Sequence, residues 1–402
     1  MENFREKPIN RSLYDKMSHA LARGKSVLLL GPRQTGKTTL SLCFEPDLSL
    51  NLIRPALRLR YEASPDTLAA EIEQLAQQCT RRPLVLIDEV QKVPLLLDVA
   101  QDLIDRQVAQ FIFTGSSARK LRKSSELNLL PGRVTMLHMD ALNLQELPPH
   151  LMQLDDLLSF GSLPGIVTLK NEHDKEQDLQ SYSMVYLEEE VRAEALVRNL
   201  GEFAQFLKLA AGEAGQIVNL SKLSQQVGVS HNTINSYYQI LEDCLIATRI
   251  EPLSQSSERR RLIKSPQYLF FDLGVQRCSA AEGSALPEKV RGQRFEQLIG
   301  LEVLRYKHSD LAGLQLMFWR DHSGAEVDWV VKYQGKMLPI EVKISDRPKT
   351  SHAKHLRSFI DEYEQASAGL IVCTTTHAMK FDEQITAVPW QHMLQYIHRY
   401  FC

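Results

Sequence analysis

Hydrophobic and polar positions follow different periods in different parts of this chain, and the changes of period divide it. Between residues 24 and 150 three short apolar runs stand out: Ser26-Val27-Leu28-Leu29-Leu30, Leu84-Val85-Leu86-Ile87 and Phe111-Ile112-Phe113-Thr114. Runs with no polar face suit strands covered on both sides, as in a parallel sheet sandwiched by helices. Each run ends in chemistry-bearing residues: a glycine-rich loop, a pair of acids, and Gly115-Ser116-Ser117. Chemistry at the C-terminal ends of strands describes an α/β fold with a parallel sheet. Residues 150–245 read as mostly helical, interrupted at Gly161-Ser162-Leu163-Pro164-Gly165 by a hinge or loop.

Within 203–272 the pattern changes again. A short helix from Leu220 is stopped at Gly228, and Ser230 or Asn232 can cap a second helix carrying Tyr237, Ile240 and Leu241. Strands follow at 245–250 and 268–271. Helix, tight turn, helix and two-stranded ribbon is a winged helix-turn-helix pattern. From about residue 290 come a long helix with Phe295, Leu298, Ile299, Leu301 and Leu304, strands at 315–320, 326–332 and 336–343, a helix near 351–365 and a strand at 369–373. The expected organisation is an α/β domain with the glycine-rich loop over 1–150, a helical and winged-helix region over 151–285, and a small α/β domain over 286–402.

A chain of 402 residues exceeds what one core serves, which agrees with several domains. The net charge of −2 means that any nucleic-acid surface is a local patch. No apolar stretch reaches membrane-span length, and Met1 to Pro8 has no secretory apolar region, so a cytoplasmic protein with no membrane partner is expected. Cysteines stand at 43, 79, 244, 278, 373 and 402 without a CxxC pair, which points to buried, reduced thiols rather than a zinc ribbon or disulfide framework.

Gly31-Pro32-Arg33-Gln34-Thr35-Gly36-Lys37-Thr38 is a complete GxxxxGK[ST] loop between a strand and a helix-compatible segment. Backbone amides from Gln34 through Thr35 and Gly36 to Lys37 are expected to cradle the β-phosphate of ATP, with Thr39 completing the loop. Lys37 would bridge the β- and γ-phosphates, and the Thr38 hydroxyl would bind Mg²⁺. At the end of the next run, Asp88 would hold Mg²⁺ through water and Glu89 would polarise the attacking water, a role worth roughly 10²–10⁴ in turnover. Thr114 is placed to read the γ-phosphate or simply to cap its strand. Arg133 is the candidate arginine supplied in trans, which would require a homo-oligomer. The basic run Arg119, Lys120, Arg122 and Lys123 serves as a solvated face or a phosphate contact.

Near the C-terminus, alternation puts Glu326, Asp328 and Val330 on one strand face and Val327, Trp329 and Val331 on the other. Glu341 and Lys343 share a face, and a hairpin around Gln334-Gly335 makes Asp328 and Glu341 neighbours. Two adjacent carboxylates repel, a divalent cation relieves the repulsion, and Lys343 can orient water or stabilise phosphate. The plain alternative is a surface Glu341–Lys343 pair. Lys354 or His355 offers a weaker phosphate contact. In the helix-turn-helix, Ser230, His231, Asn232, Thr233 and Asn235 would face a DNA groove, and Arg259, Arg260, Arg261 and Lys264 would contact phosphates from the wing. Alternatively the module packs or oligomerises, with Tyr237 and Tyr238 in its core.

Residues Gly31 to Thr39, Leu86-Ile87-Asp88-Glu89-Val90-Gln91, Thr114-Gly115-Ser116-Ser117, Tyr186 to Glu190, Phe271-Asp272-Leu273-Gly274 and Gly292 to Glu296 together resemble prokaryotic AAA-type ATPases that carry a C-terminal domain of unknown function with a restriction-endonuclease-like, PD-(D/E)xK fold. The likeness runs over nearly the whole chain. It implies an N-terminal ATPase, a winged helix and a nuclease-like domain in which Glu296 is an additional acid and a metal ligand beside Asp328 and Glu341. Pro131 departs from the resemblance, since such proteins more often carry alanine before Gly-Arg. The resulting expectation is an ATP- and Mg²⁺-dependent ATPase that engages DNA and has a metal-dependent nuclease site, with catalytic residues Lys37, Glu89, Asp328, Glu341 and Lys343. The alternative is a nucleotide switch that recruits a protein partner and keeps the nuclease fold as an inactive scaffold.

Overall fold

The computed structural model describes residues 9–117, 132–183, 199–253 and 262–402. Arg119, Lys120, Arg122, Lys123, Pro131, Tyr186 to Glu190, Arg259, Arg260 and Arg261 lie outside them. The chain divides into two units: Met1–Leu147 with Asp243–Ile246, and Pro148–Glu242 with Ala247–Cys402.

In the first unit the apolar runs become β1 (Ser26–Leu30), β3 (Leu84–Asp88) and β4 (Gln110–Gly115), joined by β2 (Leu48–Asn51) and β5 (Val134–His138). All pair in parallel, in the order β2-β3-β4-β1-β5. Successive residues of β1 serve opposite cores: Leu28 and Leu30 pack with Val85, Ile87, Phe111 and Phe113, whereas Val27 and Leu29 pack with Leu86, Ile112 and Met17. This two-sided burial is why the three runs lack a polar face. The edge strands were not visible as runs because they are only partly buried and mix polar with apolar residues. The order matters for the site, since β4 lies between β1, which leads into the phosphate-loop sequence, and β3, which ends in the two acids.

The second unit holds an eight-stranded sheet: β6 (Ala247–Pro252), β7 (Gln267–Phe270), β8 (Gln315–Arg320), β9 (Glu326–Tyr333), β10 (Lys336–Lys343), β11 (Gly369–Cys373), β12 (Met379–Lys380) and β13 (Ile385–Pro389). Its order is β12-β13-β11-β10-β9-β8-β6-β7. The β6–β7 ribbon is therefore not free-standing: Glu251 and Pro252 pair with Met317 and Phe318, so it extends the same sheet. Gln334 (φ 48°) and Gly335 (φ 81°) form the two-residue turn between β9 and β10, with Tyr333 opposite Lys336. Two positive φ values fit a turn whose twist matches the flanking strands. The helix Glu288–Ser309 approaches closely at Gly300, where an added Cβ would lie 2.7 Å from the Trp329 ring. The helix Lys354–Glu362 contributes Leu356, Phe359 and Ile360 to a core with Val327, Val330 and Ile371.

That last cluster corrects the expected alternation on β9. Val327 and Val330 share one core, although three residues apart. The β8–β9 register shifts between the pairs Met317↔Val330 and Trp319↔Val327, so β9 carries one extra residue there. A bulge of this kind re-aims side chains. Trp329 turns to the helix Glu288–Ser309, where its Nε1 donates to the Glu296 carbonyl at 2.9 Å.

The loop at 161–165 is pinned rather than hinge-like. The buried Asp272 caps the helix Leu273–Ser279 through the Gly274 and Val275 amides, and its other oxygen accepts from Ser162 N at 2.7 Å. A side chain at Gly161 would collide with that carboxylate at 2.1 Å. The six cysteines form no disulfide, but they are not uniformly buried: Cys43 and Cys402 are exposed. No helix among the described residues is long and apolar enough to cross a membrane.

Candidate functional site

The phosphate-loop sequence is shaped by what lies behind it. Met139, just after β5, donates its amide to Leu30 O at 2.7 Å, and a Cβ on Gly31 would stand 2.1 Å from the Met139 carbonyl oxygen. Only glycine fits there. Gln34 (φ 58°) and Gly36 (φ 95°) turn the chain into the helix Lys37–Leu42. Buried Thr35 donates its hydroxyl to Pro32 O at 2.8 Å. Arg11, which no motif announces, forks across Thr35 O (2.6 Å) and Asp140 O (2.7 Å) and pairs with Glu146 at 3.1 Å. Gln34 and Thr39 are exposed.

Lys37 folds onto the loop itself, donating to Gly31 O at 2.9 Å and Pro32 O at 2.7 Å. The Thr38 hydroxyl lies 3.0 Å from each Asp88 carboxylate oxygen. The Thr114 hydroxyl also donates to Asp88 and accepts from Glu89 N at 3.1 Å. Thr114 thus engages the Asp88 carboxylate and the Glu89 backbone amide through one atom. Burial pushes the Asp88 carboxyl upward, against the hydrogen bonds from Thr114 and Thr38. A buried carboxylate beside a hydroxyl is a hard oxygen donor set and fits Mg²⁺. Glu89 has a left-handed backbone (φ 59°), and its Oε2 accepts from Ser116 Oγ at 2.8 Å and from Gln91 Nε2. Gln91 and Ser116 had been noticed only as letters of longer motifs. Arg133 is not brought to this loop in its own chain. Its carbonyl bonds Ser26 N at the opposite end of β1, and its guanidinium holds Asp105, with Nη2 at 2.9 Å.

In the second unit Asp328, Glu341, Lys343 and Glu296 come together. Asp328 Oδ2 accepts from Val342 N at 2.7 Å. Lys343 Nζ lies 2.7 Å from Glu341 and 3.7 Å from Asp328. Burial raises all three carboxyls. Glu341 is pushed up to about 8 by burial and then by Asp328; Glu296 rises well above the usual range from burial and the charge of Asp328; Asp328 rises through burial despite Lys343. Burial is the largest single effect on Lys343 and would lower it, but Asp328 and Glu341 together raise it. Glu341 Oε2 is buried without a hydrogen-bond partner. An orphaned carboxylate oxygen among three acids and one lysine fits a divalent cation, which would satisfy that oxygen and offset the repulsion. A cleft of about 510 Å³ opens beside Glu296 and Asp328, lined also by Gln216, Gln293, Arg320 and Glu326. His355 Nδ1 is spent on the Glu326 backbone at 3.1 Å, and Lys354 is exposed.

Around the start of the helix His231–Asp243, Ser230, His231, Asn232 and Asn235 are exposed, and Ser230 Oγ accepts from Thr233 N at 3.2 Å. Tyr237 and Tyr238 are core residues, with Tyr238 stacked on Tyr268 at 4.1 Å. Lys264, between β6 and β7, is exposed.

Three family models match consecutive stretches: an AAA domain over 23–148, a domain of unknown function (DUF8612) over 151–283, and a domain of unknown function (DUF4143) over 291–393. An uncharacterized protein of Mycobacterium tuberculosis is 26% identical over 94% of this chain and 83% of its own length. One from Methanocaldococcus jannaschii is 23% identical over 92% and 84%. Among solved structures, the Pif1 helicase from Candida albicans aligns at 15% identity over 44% of this chain and 48% of its own, with a TM-score of 0.24. The chain thus carries an AAA-family P-loop ATPase domain at its N-terminal end and a DUF4143 domain toward its C-terminal end.

Proposed function

We propose that this protein hydrolyses ATP in its first unit and engages DNA through its second, where Asp328, Glu341 and Glu296 hold a divalent cation at a nuclease-like site. The observation that carries the ATPase reading is the convergence of Thr38, Asp88 and the Glu89 amide, joined by Thr114 at the ends of three adjacent strands, with the charge of Lys37 acting on Asp88. Lys37 exchanges the carbonyls of Gly31 and Pro32 for β- and γ-phosphate oxygens. The amides from Gln34 to Lys37 supply neutral donors to the same anion. Bound by Thr38 and Asp88, Mg²⁺ supplies charge neutralisation on the phosphates. Glu89 takes the proton of the attacking water. Arg133, remote from its own loop, is the arginine offered to a neighbouring copy, which makes the working form a homo-oligomer and requires it to leave Asp105.

The DNA reading of the second unit is supported by the exposed polar residues at the start of the helix His231–Asp243, in the arrangement of a winged helix, and by the orphaned Glu341 oxygen in a PD-(D/E)xK-like cluster. A cation held by Asp328, Glu341 and Glu296 supplies Lewis-acid stabilisation to a phosphodiester. Lys343 stands ready to orient water or to neutralise the phosphate. One observation favours the alternative of an inactive scaffold that recruits a protein partner: Lys343 already sits on Glu341 at 2.7 Å and partly neutralises the cluster.

The test incubates the purified chain with supercoiled plasmid and Mg²⁺ or Mn²⁺, with and without ATP, beside Asp328→Ala and Lys37→Ala. Cleavage that Asp328→Ala abolishes supports the nuclease, and its response to Lys37→Ala reports whether ATP gates it. ATP hydrolysis without cleavage under any metal refutes the nuclease half and leaves the switch.

A further inference from the structure

We propose that Gln91 and Ser116 are positioning residues that hold Glu89 with one carboxylate oxygen turned toward the attacking water. The proposal rests on the reading of Glu89 as the general base. Both donors converge on the same atom: Ser116 Oγ reaches Glu89 Oε2 at 2.8 Å, and Gln91 Nε2 bonds that oxygen as well. The two donors are themselves joined, Gln91 Nε2 to Ser116 Oγ at 3.0 Å. Oε1 of Glu89 receives no hydrogen bond from the described residues. A carboxylate hidden by its neighbours would have both oxygens occupied. Here one is pinned and the other is left to accept a proton.

The backbone reinforces the geometry. Glu89 adopts φ 59°, in the left-handed region that ordinarily favours glycine, and its amide is tied to the Thr114 hydroxyl at 3.1 Å. Thr114 and Ser116, two residues apart at the end of β4, therefore hold Asp88 and Glu89 respectively. Gln91 keeps its NH₂ on the carboxylate even though its own Oε1 is buried without a partner. An amide that leaves a buried acceptor unsatisfied while it donates to an acid and to the hydroxyl that holds the same acid is committed to that pair. Neither side chain is hydrogen-bonded to the phosphate-loop residues, so loss of either should affect the chemical step and spare nucleotide binding.

The experiment measures steady-state kcat and KM for ATP on the full chain, together with the Kd of a fluorescent ATP analogue. The variants are Ser116→Ala, Gln91→Leu, Ser116→Thr and Glu89→Gln. A base displaced by even an ångström loses up to about 10² in rate. Ser116→Ala and Gln91→Leu are each expected to lower kcat about tenfold, with KM and Kd within about twofold of wild type, and Ser116→Thr, which keeps the hydroxyl, to recover most of the loss. Unchanged kcat overturns the proposal, and so does raised kcat, which would mean that the two bonds restrain the base. Parallel loss of kcat and analogue binding also overturns it, since that is a purely structural effect. Glu89→Gln separates the two levels of inference. If it turns over at the wild-type rate, or if wild type does not turn over, the general-base reading fails. If it is inactive while Ser116→Ala and Gln91→Leu run normally, only the positioning role falls.

Discussion

Replacing Arg11 with methionine keeps most of the side-chain volume and removes one guanidinium from beneath the phosphate loop. Arg11 and Glu146 are 8% and 4% exposed, and breaking a buried pair ordinarily costs about 3–5 kcal/mol. Glu146 is not abandoned, however. It keeps Ser12 N and Ser12 Oγ at 2.8 Å and Asn143 N at 3.2 Å. The larger loss falls on the carbonyls of Thr35 and Asp140, each deprived of a charged donor worth about 1.5 kcal/mol or more. The expected total is about 4 kcal/mol, of which the two carbonyls account for about 3 and the Arg11–Glu146 coupling for about 1, since the Arg11 Nε makes no aligned hydrogen bond. For a unit of this size that shifts the melting temperature by roughly 8–16 °C. A cycle of Arg11→Met, Glu146→Gln and the double variant, followed by thermal melting with and without ATP, separates the parts. Arg11→Lys keeps a charge near Glu146 but cannot fork across two carbonyls, so it should lose most of the fork's share of about 3 kcal/mol. Releasing Thr35 O also loosens the loop, and ATP affinity should fall at least about fivefold, near 1 kcal/mol. Wild-type stability in Arg11→Lys, or a coupling equal to the entire loss, would refute the assignment of the energy to the fork.

Three further expectations follow from single contacts. Gly31→Ala places a Cβ against the Met139 carbonyl, backbone on backbone, and should cost about 100-fold in affinity for a fluorescent ATP analogue; wild-type binding would contradict the close approach. Glu176 pairs with Arg277, whose side chain is 0% exposed and also donates to Ser159 O and Glu282 O, so Glu176→Gln should destabilise by about 2 kcal/mol at pH 7 in chemical denaturation. Although burial, the largest single effect, pushes the Glu176 carboxyl up, Arg277 holds it below its ordinary value of 4.5. A depressed folded pKa gives stability that is present above the unfolded value and lost as pH falls through the folded one, so the gap between wild type and variant should narrow steadily as pH falls below 4.5; a gap that stays constant as pH falls argues against the pairing. Lys343→Met leaves Asp328, Glu341 and Glu296 without their cation, so millimolar Ca²⁺ should raise its melting temperature more than it raises that of wild type, an effect EDTA reverses; equal shifts would argue against ion binding by these acids.

The parts of the fold that were legible are those where local pattern and tertiary burial agree. β1, β3 and β4 could be read because both faces of each strand enter a core. The turn at Gln334-Gly335 could be read because its glycine lies between two apolar strands. β2 and β5 escaped because an edge strand buries too little to remove its polar residues, and β12 and β13 because they are short additions to an existing sheet. That the β6–β7 ribbon extends the β8 sheet could not be read either, since parallel pairing across some sixty intervening residues leaves no local trace.

The chemistry-bearing residues show the same division at finer scale. Their identities and grouping were legible, but their orientation was not, because at both sites the backbone departs from the regular geometry that a pattern assumes. Glu89 stands at φ 59°, and Asp328 lies in the stretch of β9 that carries an extra residue. In the first case the irregularity presents the carboxylate to Ser116 and Gln91; in the second it separates Asp328 from strict alternation and brings it against Glu296. A regular strand would have sent the acid after Asp88 to the opposite face and kept Val327 and Val330 on opposite sides of β9. Strain and bulges persist only when surrounding contacts determine them, and here those contacts are named: Thr114 on the Glu89 amide, and the Val327 and Val330 packing on the other side of β9. The residues to which the motifs assign no role of their own, Arg11, Gln91, Ser116 and Glu146, are therefore those that bond irregular backbone and acids rather than those that meet the phosphates.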